Sequence, residues 1–275
     1  MRLRTILGRV ILYTILLSWA AAIVVPLAYS MSSSFKTAGE VFQTPIRWIP
    51  RVWHTENYTE PFRSRPFGRF FLNSVIVATT STALNLLVSS LAGYSLAKFR
   101  FRGRNLLFGI VLGSLMLPIQ VTIVPLYLVT RSLGWINTYQ GLILPTAVTG
   151  FGIFLMRQYI LTIPDDFREA ARIDGAGELF IFLNIILPLA APAFFSLGIL
   201  HFLASWESFM WPLVIANRDE IRPLAIGLVM FEQEFYTAYP QLFAMSLASM
   251  FPLLAVFVVF QRRILEGMIL SGLKG

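Results

Sequence analysis

The sequence predicts an all-α membrane protein with six spanning helices. Three observations carry this expectation. The 275 residues are 56% hydrophobic and only 13% charged, about half the roughly 25% charge of a soluble domain, and the mean hydropathy is +0.70. Apolar stretches recur at about 10–31, 71–97, 106–129, 139–156, 184–205 and 241–261, each close to the roughly 20 residues that a bilayer core requires. The aromatic residues are 24 Phe, 6 Trp and 9 Tyr, with Phe suited to lipid-facing surfaces and Trp and Tyr to the interfaces.

The first stretch follows Arg2, Arg4 and Arg9. Its apolar run, Val10 to Ala28, exceeds the roughly 7–15 residues of a signal-peptide core, so it reads as a retained helix. The segment at about 32–70, with Pro45, Trp48, Pro50, Trp53 and Asn57-Tyr58, is too short for a folded domain and sized for surface structure. A second such segment at about 217–240 holds Arg218-Asp219-Glu220 and Glu232-Gln233-Glu234. Lys and Arg set the orientation. With both termini cytoplasmic, the inside segments hold about 13 of them and the outside segments about 9 by the positive-inside rule. The net charge of +8 is thereby read as topology and lipid headgroup attraction. No basic patch with interleaved aromatics suggests a nucleic-acid partner.

Composition also excludes chemistry. The chain has no Cys and 2 His, so there is no disulfide, thiolate nucleophile or Cys/His-rich metal site. It carries no G-x-x-x-x-G-K-[ST] phosphate loop and no Ser-His-Asp arrangement placed for hydrolysis.

The inside segment at 162–188 is the most informative. Pro164 sets a turn, and Asp165 or Asp166 is placed to cap a helix. Asp166 and Glu169 have capping-box spacing. Ala170 and Ala171 favour helix. Phe167, Ala170 and Ala171 fall at i, i+3 and i+4, on one face. Asp174-Gly175 ends the helix, because Gly takes the left-handed conformation without steric cost. These residues predict a short helix outside the membrane with a small-residue face, which by itself fits either a helix resting on lipid headgroups or one that another protein approaches closely.

Glu169-Ala170-Ala171, Asp174-Gly175-Ala176 and Ile186-Leu187-Pro188 resemble the EAA loop of binding-protein-dependent ABC importer permeases. Other stretches are similar to the MalG-type permeases of carbohydrate importers: Ser33 to Thr37, Pro66 to Ser74, Ala97 to Gly103, Leu117 to Gln120, Pro125 to Tyr127, Asn137 to Tyr139, Leu144-Pro145 and the tail from Phe260. The likeness covers nearly the whole chain. It implies the type I ABC importer permease (MetI-like) fold as a single transmembrane domain over 1–275. It also implies a second permease of MalF type, an ABC ATPase dimer that holds ATP and magnesium, and an extracytoplasmic solute-binding protein. The EAA loop, about 162–183, would contact the ATPase through Glu169, Ala170, Ala171, Asp174, Gly175 and Phe167. The last outside loop would face the binding protein through Arg222, Glu232, Gln233 and Glu234. One segment departs from the pattern. In Ser205 to Pro212, Glu207 and Ser208 stand where the family usually has Asn and a carboxylate.

Ionisable groups within spans are costly and often line pathways. Glu207, His201 and Trp206 are therefore candidates for a substrate pathway, against the plainer reading of packing or interface roles. Asn85, Gln120 and Asn184 read as interhelical hydrogen-bonding groups. Pro118, Pro125, Pro145, Pro188 and Pro192 predict kinks. The alternative from another class is a proton-coupled secondary transporter using Glu207 and His201, which would need no ATPase. The identity of the transported sugar is not written in the chain.

Overall fold

The computed structural model describes the backbone of residues 2–231 and 238–272, and the side chains of 6–231 and 238–261. Among the described residues every regular element is helical. In chain order these are α1 (Arg2–Ser33), α2 (Ala38–Val41), α3 (Glu56–Ser64), α4 (Phe67–Lys98), α5 (Arg104–Leu115), α6 (Ile119–Ser132), α7 (Tyr139–Ala147), α8 (Gly150–Leu161), α9 (Asp166–Ile173) and α10 (Glu178–Ile181). A π-helical turn (Phe182–Ile186) leads into α11 (Leu187–Leu189), α12 (Ala191–Trp206), α13 (Met210–Ile215), α14 (Leu224–Val229) and α15 (Tyr239–Gly272).

Three helices are long and apolar enough to cross a membrane alone, at Ile6–Ser33, Phe67–Lys98 and Tyr239–Gln261. Three further spans are bent pairs: α5 with α6 at 107°, α7 with α8 at 42°, and Glu178–Leu189 with α12 at 79°. Counting each bent pair as one span, the described residues hold up to six, as composition predicts, and three of these are broken where hydropathy reads straight through. The breaks have local causes. Pro118 sits ahead of α6 with extended backbone, φ −69° and ψ 145°, and a proline lacks the N–H that would continue the ladder. Val148 and Thr149 are extended between α7 and α8. The carbonyl freed there is not left bare, since Asn85 Nδ2 donates to Ala147 O at 2.8 Å. This is the interhelical role expected of Asn85. Asn184 instead donates to Phe180 O of its own turn at 3.0 Å.

The chain packs as two compact units. The first comprises residues 1–67 and 227–251. Within it the segment after α1 is tied down by Asn57, whose Nδ2 donates to Ser34 O at 2.9 Å and Lys36 O at 3.0 Å. Phe35 packs between Trp53 and Tyr58, with ring centroids 5.1 and 5.2 Å away. The segment between α1 and α4 is thus ordered structure.

The second unit comprises 68–226 and 252–275 and has two apolar centres. One gathers Tyr94, Met156, Ile160, Ile163, Ile181, Phe182 and Ile186. The other gathers Val77, Leu142, Ile143, Trp211 and Ile215. Helices α4 and α8 approach closely because two crossing positions lack a side chain. A Cβ on Gly93 would lie 2.7 Å from Met156 Cβ and 2.8 Å from Arg157 N, and one on Gly152 would lie 2.4 Å from Ser89 Oγ.

Candidate functional site

The loop between α8 and α10 carries α9, the short helix predicted from Glu169 to Gly175. Its end follows the sequence closely. Gly175 has φ +85°, Gly175 N donates to Arg172 O at 3.0 Å, and Ala176 N donates to Ala171 O at 2.9 Å. This pair of bonds is a Schellman motif, which satisfies the last carbonyls.

Its beginning differs from expectation. Asp165 occupies the cap position but its side chain makes no capping bond. Only its carbonyl serves, accepting from Arg168 N at 2.9 Å and Glu169 N at 3.0 Å. The carboxylate is held instead by Lys98 Nζ at 2.7 Å. Lys98 is 4% exposed at its side chain, but Asp165 is 64% exposed, so solvent screens the pair. The Asp166–Glu169 capping box is likewise not formed: Asp166 lies inside the helix rather than at its cap.

The predicted small-residue face is split. Phe167, Glu169, Ala170, Asp174 and Gly175 are exposed, whereas Ala171 is buried in the core beside Ile163. Ala171 lies on the side of the helix that turns toward the spans. Ile173, which sequence reasoning did not single out, is 86% exposed. Its signal was available as an aliphatic residue in an otherwise polar stretch.

A charged clamp fixes this loop to the end of α4. Glu178 accepts from Tyr94 Oη at 2.8 Å, from Arg168 Nε at 3.2 Å and Nη2 at 3.3 Å, and from Arg172 Nε at 2.6 Å. Arg168 Nη1 also donates to Lys98 O at 3.1 Å, and its guanidinium lies 4.6 Å from the Phe99 ring centroid. Lys98 Nζ adds a bond to Ile163 O at 2.5 Å. The Lys98 hydrogen bond is the main cause that holds the Asp165 carboxyl below its ordinary range, against slight desolvation; the charges of Lys98, Arg168 and Arg100 add to it. Sequence reasoning used Lys98 only among the inside charges and in the family-like stretch from Ala97, and assigned no role to Tyr94 or Glu178.

From Glu178 the chain runs through the π-helical turn and Pro188 into α12, whose far half borders a cavity of about 170 Å³. Ser74, Ser81, Thr146, Thr149, His201, Ser205 and Ser208 line it together with Val77, Leu142 and Trp211. His201 Nε2 and Ser81 Oγ are 2.9 Å apart. Of the three pathway candidates on α12, only His201 borders this cavity. Trp206 is buried between Phe71 and Phe202, with centroids 5.6 and 5.9 Å away. Glu207 is exposed at the helix end. Arg222 is bound into its own loop, pairing with Asp219 and donating to Ala216 O at 3.3 Å and Asn217 O at 3.1 Å. Glu232, Gln233 and Glu234 lie outside the described residues.

The profile of the family described as "Binding-protein-dependent transport system inner membrane component" matches residues 85–268, a stretch that contains the clamp's Glu178, α9 and α12. The chain belongs to this family. It is therefore a multi-pass transport permease, and the resemblance read from its motifs is borne out. Among its relatives is the arabinooligosaccharides transport system permease protein AraQ of Bacillus subtilis (strain 168). That protein is 35% identical over 253 residues, covering 91% of this permease and 90% of the relative. The diacetylchitobiose uptake system permease protein NgcG of Streptomyces coelicolor is 34% identical over 256 residues, covering 92% and 84%. Among solved structures, a chain of a bacterial ABC transporter that imports the acidic polysaccharide alginate matches with TM-score 0.85 and 25% identity, covering 96% of this permease and 98% of that chain. This likeness extends over nearly the whole of both chains and supports the helical MetI-like permease fold.

Proposed function

We propose that this permease carries a sugar or sugar-like solute into the cytoplasm by alternating access, driven by ATP hydrolysed on a separate chain. The observation that carries the reading is α9: a short helix closed at Gly175, exposed along Phe167, Glu169, Ala170, Ile173 and Asp174, yet clamped from behind by Glu178. A helix presented outward and rigidly backed is suited to receive force from a partner and pass it inward. In this reading α9 docks on an ABC ATPase dimer, which holds ATP and magnesium. A second permease of MalF type completes the pathway, and a solute-binding protein delivers the sugar to the outside face.

The chain works as one permease domain with both termini cytoplasmic, and the segments at about 32–70 and 217–240 face outward. Arg222, Glu232, Gln233 and Glu234 belong to the surface offered to the binding protein. His201 lies on the solute's route, with Trp206 behind it and Glu207 at the end of the same helix. The sugar class is supported by the relatives' substrates, arabinooligosaccharides and diacetylchitobiose.

The test is assembly and transport together. Glu169→Lys and Gly175→Asp are expected to weaken copurification of the ATPase and to abolish uptake. A permease that purified without any ATPase, yet still moved sugar with a proton gradient, would overturn the reading in favour of proton coupling. Crosslinking from Gln233 in the assembled complex is expected to capture the binding protein.

A further inference from the structure

We propose that the cavity bordered by α4, α7, α12 and α13 is a binding site for one uncharged sugar ring, held within this subunit during passage. The proposal rests on the carbohydrate reading above and adds to it a place and a ligand form.

Position is the first ground. The cavity lies where the α7–α8 span is broken, between Thr146 and Thr149. Irregular backbone within a span is tolerated where it is covered by protein or lines a cavity. The α12–α13 turn supplies Ser208 from another break in helix, and α13 supplies Trp211.

Chemistry is the second. Six hydroxyls and one imidazole line the space with apolar surface between them, and none of the lining residues is Asp, Glu, Lys or Arg. A charged solute entering such a site would lose its water without gaining a counter-charge. A sugar ring exchanges its water for hydroxyl partners and lays its C–H surface on Val77, Leu142 and Trp211. The hydrogen-bond directions are partly set in advance. Ser74 Oγ accepts from Leu224 N at 2.8 Å, and Thr149 Oγ1 accepts from Asn85 Nδ2 and Gly152 N, both at 3.1 Å. Ser74 and Thr149 thereby keep their hydroxyl protons to donate to a ligand oxygen, whereas Thr146 Oγ1 donates to Leu142 O at 3.3 Å.

Size is the third. About 170 Å³ is below the roughly 300–1,000 Å³ of pockets for drug-sized ligands. It suits a single ring, so an oligosaccharide would pass ring by ring.

The absence of cysteine makes the test clean for this chain. The complete transporter, with its binding protein and with partner cysteines replaced, is reconstituted and assayed for uptake of arabinobiose, diacetylchitobiose and maltose. Whichever sugar is carried becomes the probe. Ser205→Cys and Ser208→Cys are then reacted with a small water-soluble methanethiosulfonate during turnover. The expected result is that the carried sugar, at about ten times its dissociation constant, slows modification about tenfold, and that sn-glycerol-3-phosphate does not. Ser205→Leu, which fills the space, is expected to lower uptake by at least about tenfold.

Thiols that do not react, or that react equally with and without the carried sugar, overturn the proposal and leave carbohydrate import standing. Equal protection by the phosphate ester overturns the uncharged-ligand part. Uptake of none of the three sugars by an ATP-hydrolysing complex overturns the carbohydrate reading and the proposal with it. If Ser205→Leu does not assemble, the thiol protection at Ser208 alone decides.

Discussion

Two of the contacts between the fifth span and α4 are built from opposite chemistries. At one, Glu178 reaches Tyr94 and is surrounded by Arg168 and Arg172. At the other, His201 reaches Ser81 beside a cavity lined by hydroxyls. Ser81 and Tyr94 are separated by about 20 Å along α4 at 1.5 Å per residue. Charge is affordable at the first because the α9 loop lies outside the spans, where water and headgroups share the desolvation cost. It is excluded at the second because an unpaired ion within a span is expensive. The difference teaches that one pair of helices serves two tasks. The charged contact fixes the α9 loop to the end of α4, and the neutral contact borders an uncharged cavity.

The comparison breaks first at Glu178. Glu178→Ala leaves the Arg168 side chain, 11% exposed, without its carboxylate. Breaking a buried pair costs about 3–5 kcal/mol. Glu178 is one-third exposed, so solvent screening reduces the expected cost to about 2 kcal/mol. Hydrogen exchange should show residues 162–177 losing protection about thirtyfold, and the melting temperature of the complex should fall. Because the contact is ionic, high salt should shrink the difference between variant and parent.

Asn85→Leu probes the neutral side. Asn85 is fully buried and satisfies both Ala147 O and Thr149 Oγ1. Its loss strands a carbonyl at the α7–α8 break, at a cost of about 1–2 kcal/mol. Here added salt should change nothing. A salt-sensitive Asn85→Leu or a salt-insensitive Glu178→Ala would erase the distinction between the two contacts.

What was legible in the sequence divides along the same line. Spans emerge from composition averaged over about 20 residues, so their number and approximate places were readable. The stop at Gly175 is local and was readable too. The bends were readable from proline rather than from hydropathy, which passes through Val148 and Ala190 without change: Pro118 opens α6 and Pro188 and Pro192 flank the break at Ala190, whereas the size of each bend was not readable. The partner choices were hidden for a different reason. Tyr94 and Glu178 are 84 residues apart, and Ser81 and His201 are 120 apart. Local rules correctly identified Asp165 as able to cap a helix, but Lys98, 67 residues earlier, takes its carboxylate. His201 was readable as an ionisable group in a span, whereas Glu207 met the same criterion and lies exposed at a helix end.

Gly175→Ala separates conformation from contact at the charged end. A Cβ there meets nothing within 4 Å, so any effect comes from φ +85°. The expected cost is about 1 kcal/mol, the lower end of the range for a non-glycine residue in the left-handed region. Proteolysis of the α9 loop should rise modestly, with the spans unaffected. Loss of span stability would mean that α9 and the core are not separable in this way.

Asp165→Asn has the smallest expected effect and tests how the clamp responds to pH. Asp165 is 64% exposed at its side chain, so its pair with Lys98 contributes about a few tenths of a kcal/mol. Its carboxyl is held below the ordinary value of 3.8, chiefly by the Lys98 hydrogen bond. A depressed acid stabilises the folded state above its unfolded pKa and loses that contribution as pH falls through the folded one. The stability difference between Asp165→Asn and the parent should therefore be constant from about pH 8 to about pH 5 and vanish below the 3.8 reference. Thermal melting of the two proteins across that range is the measurement. A difference that instead disappeared near neutral pH would place the controlling titration on another group and detach Asp165 from the clamp.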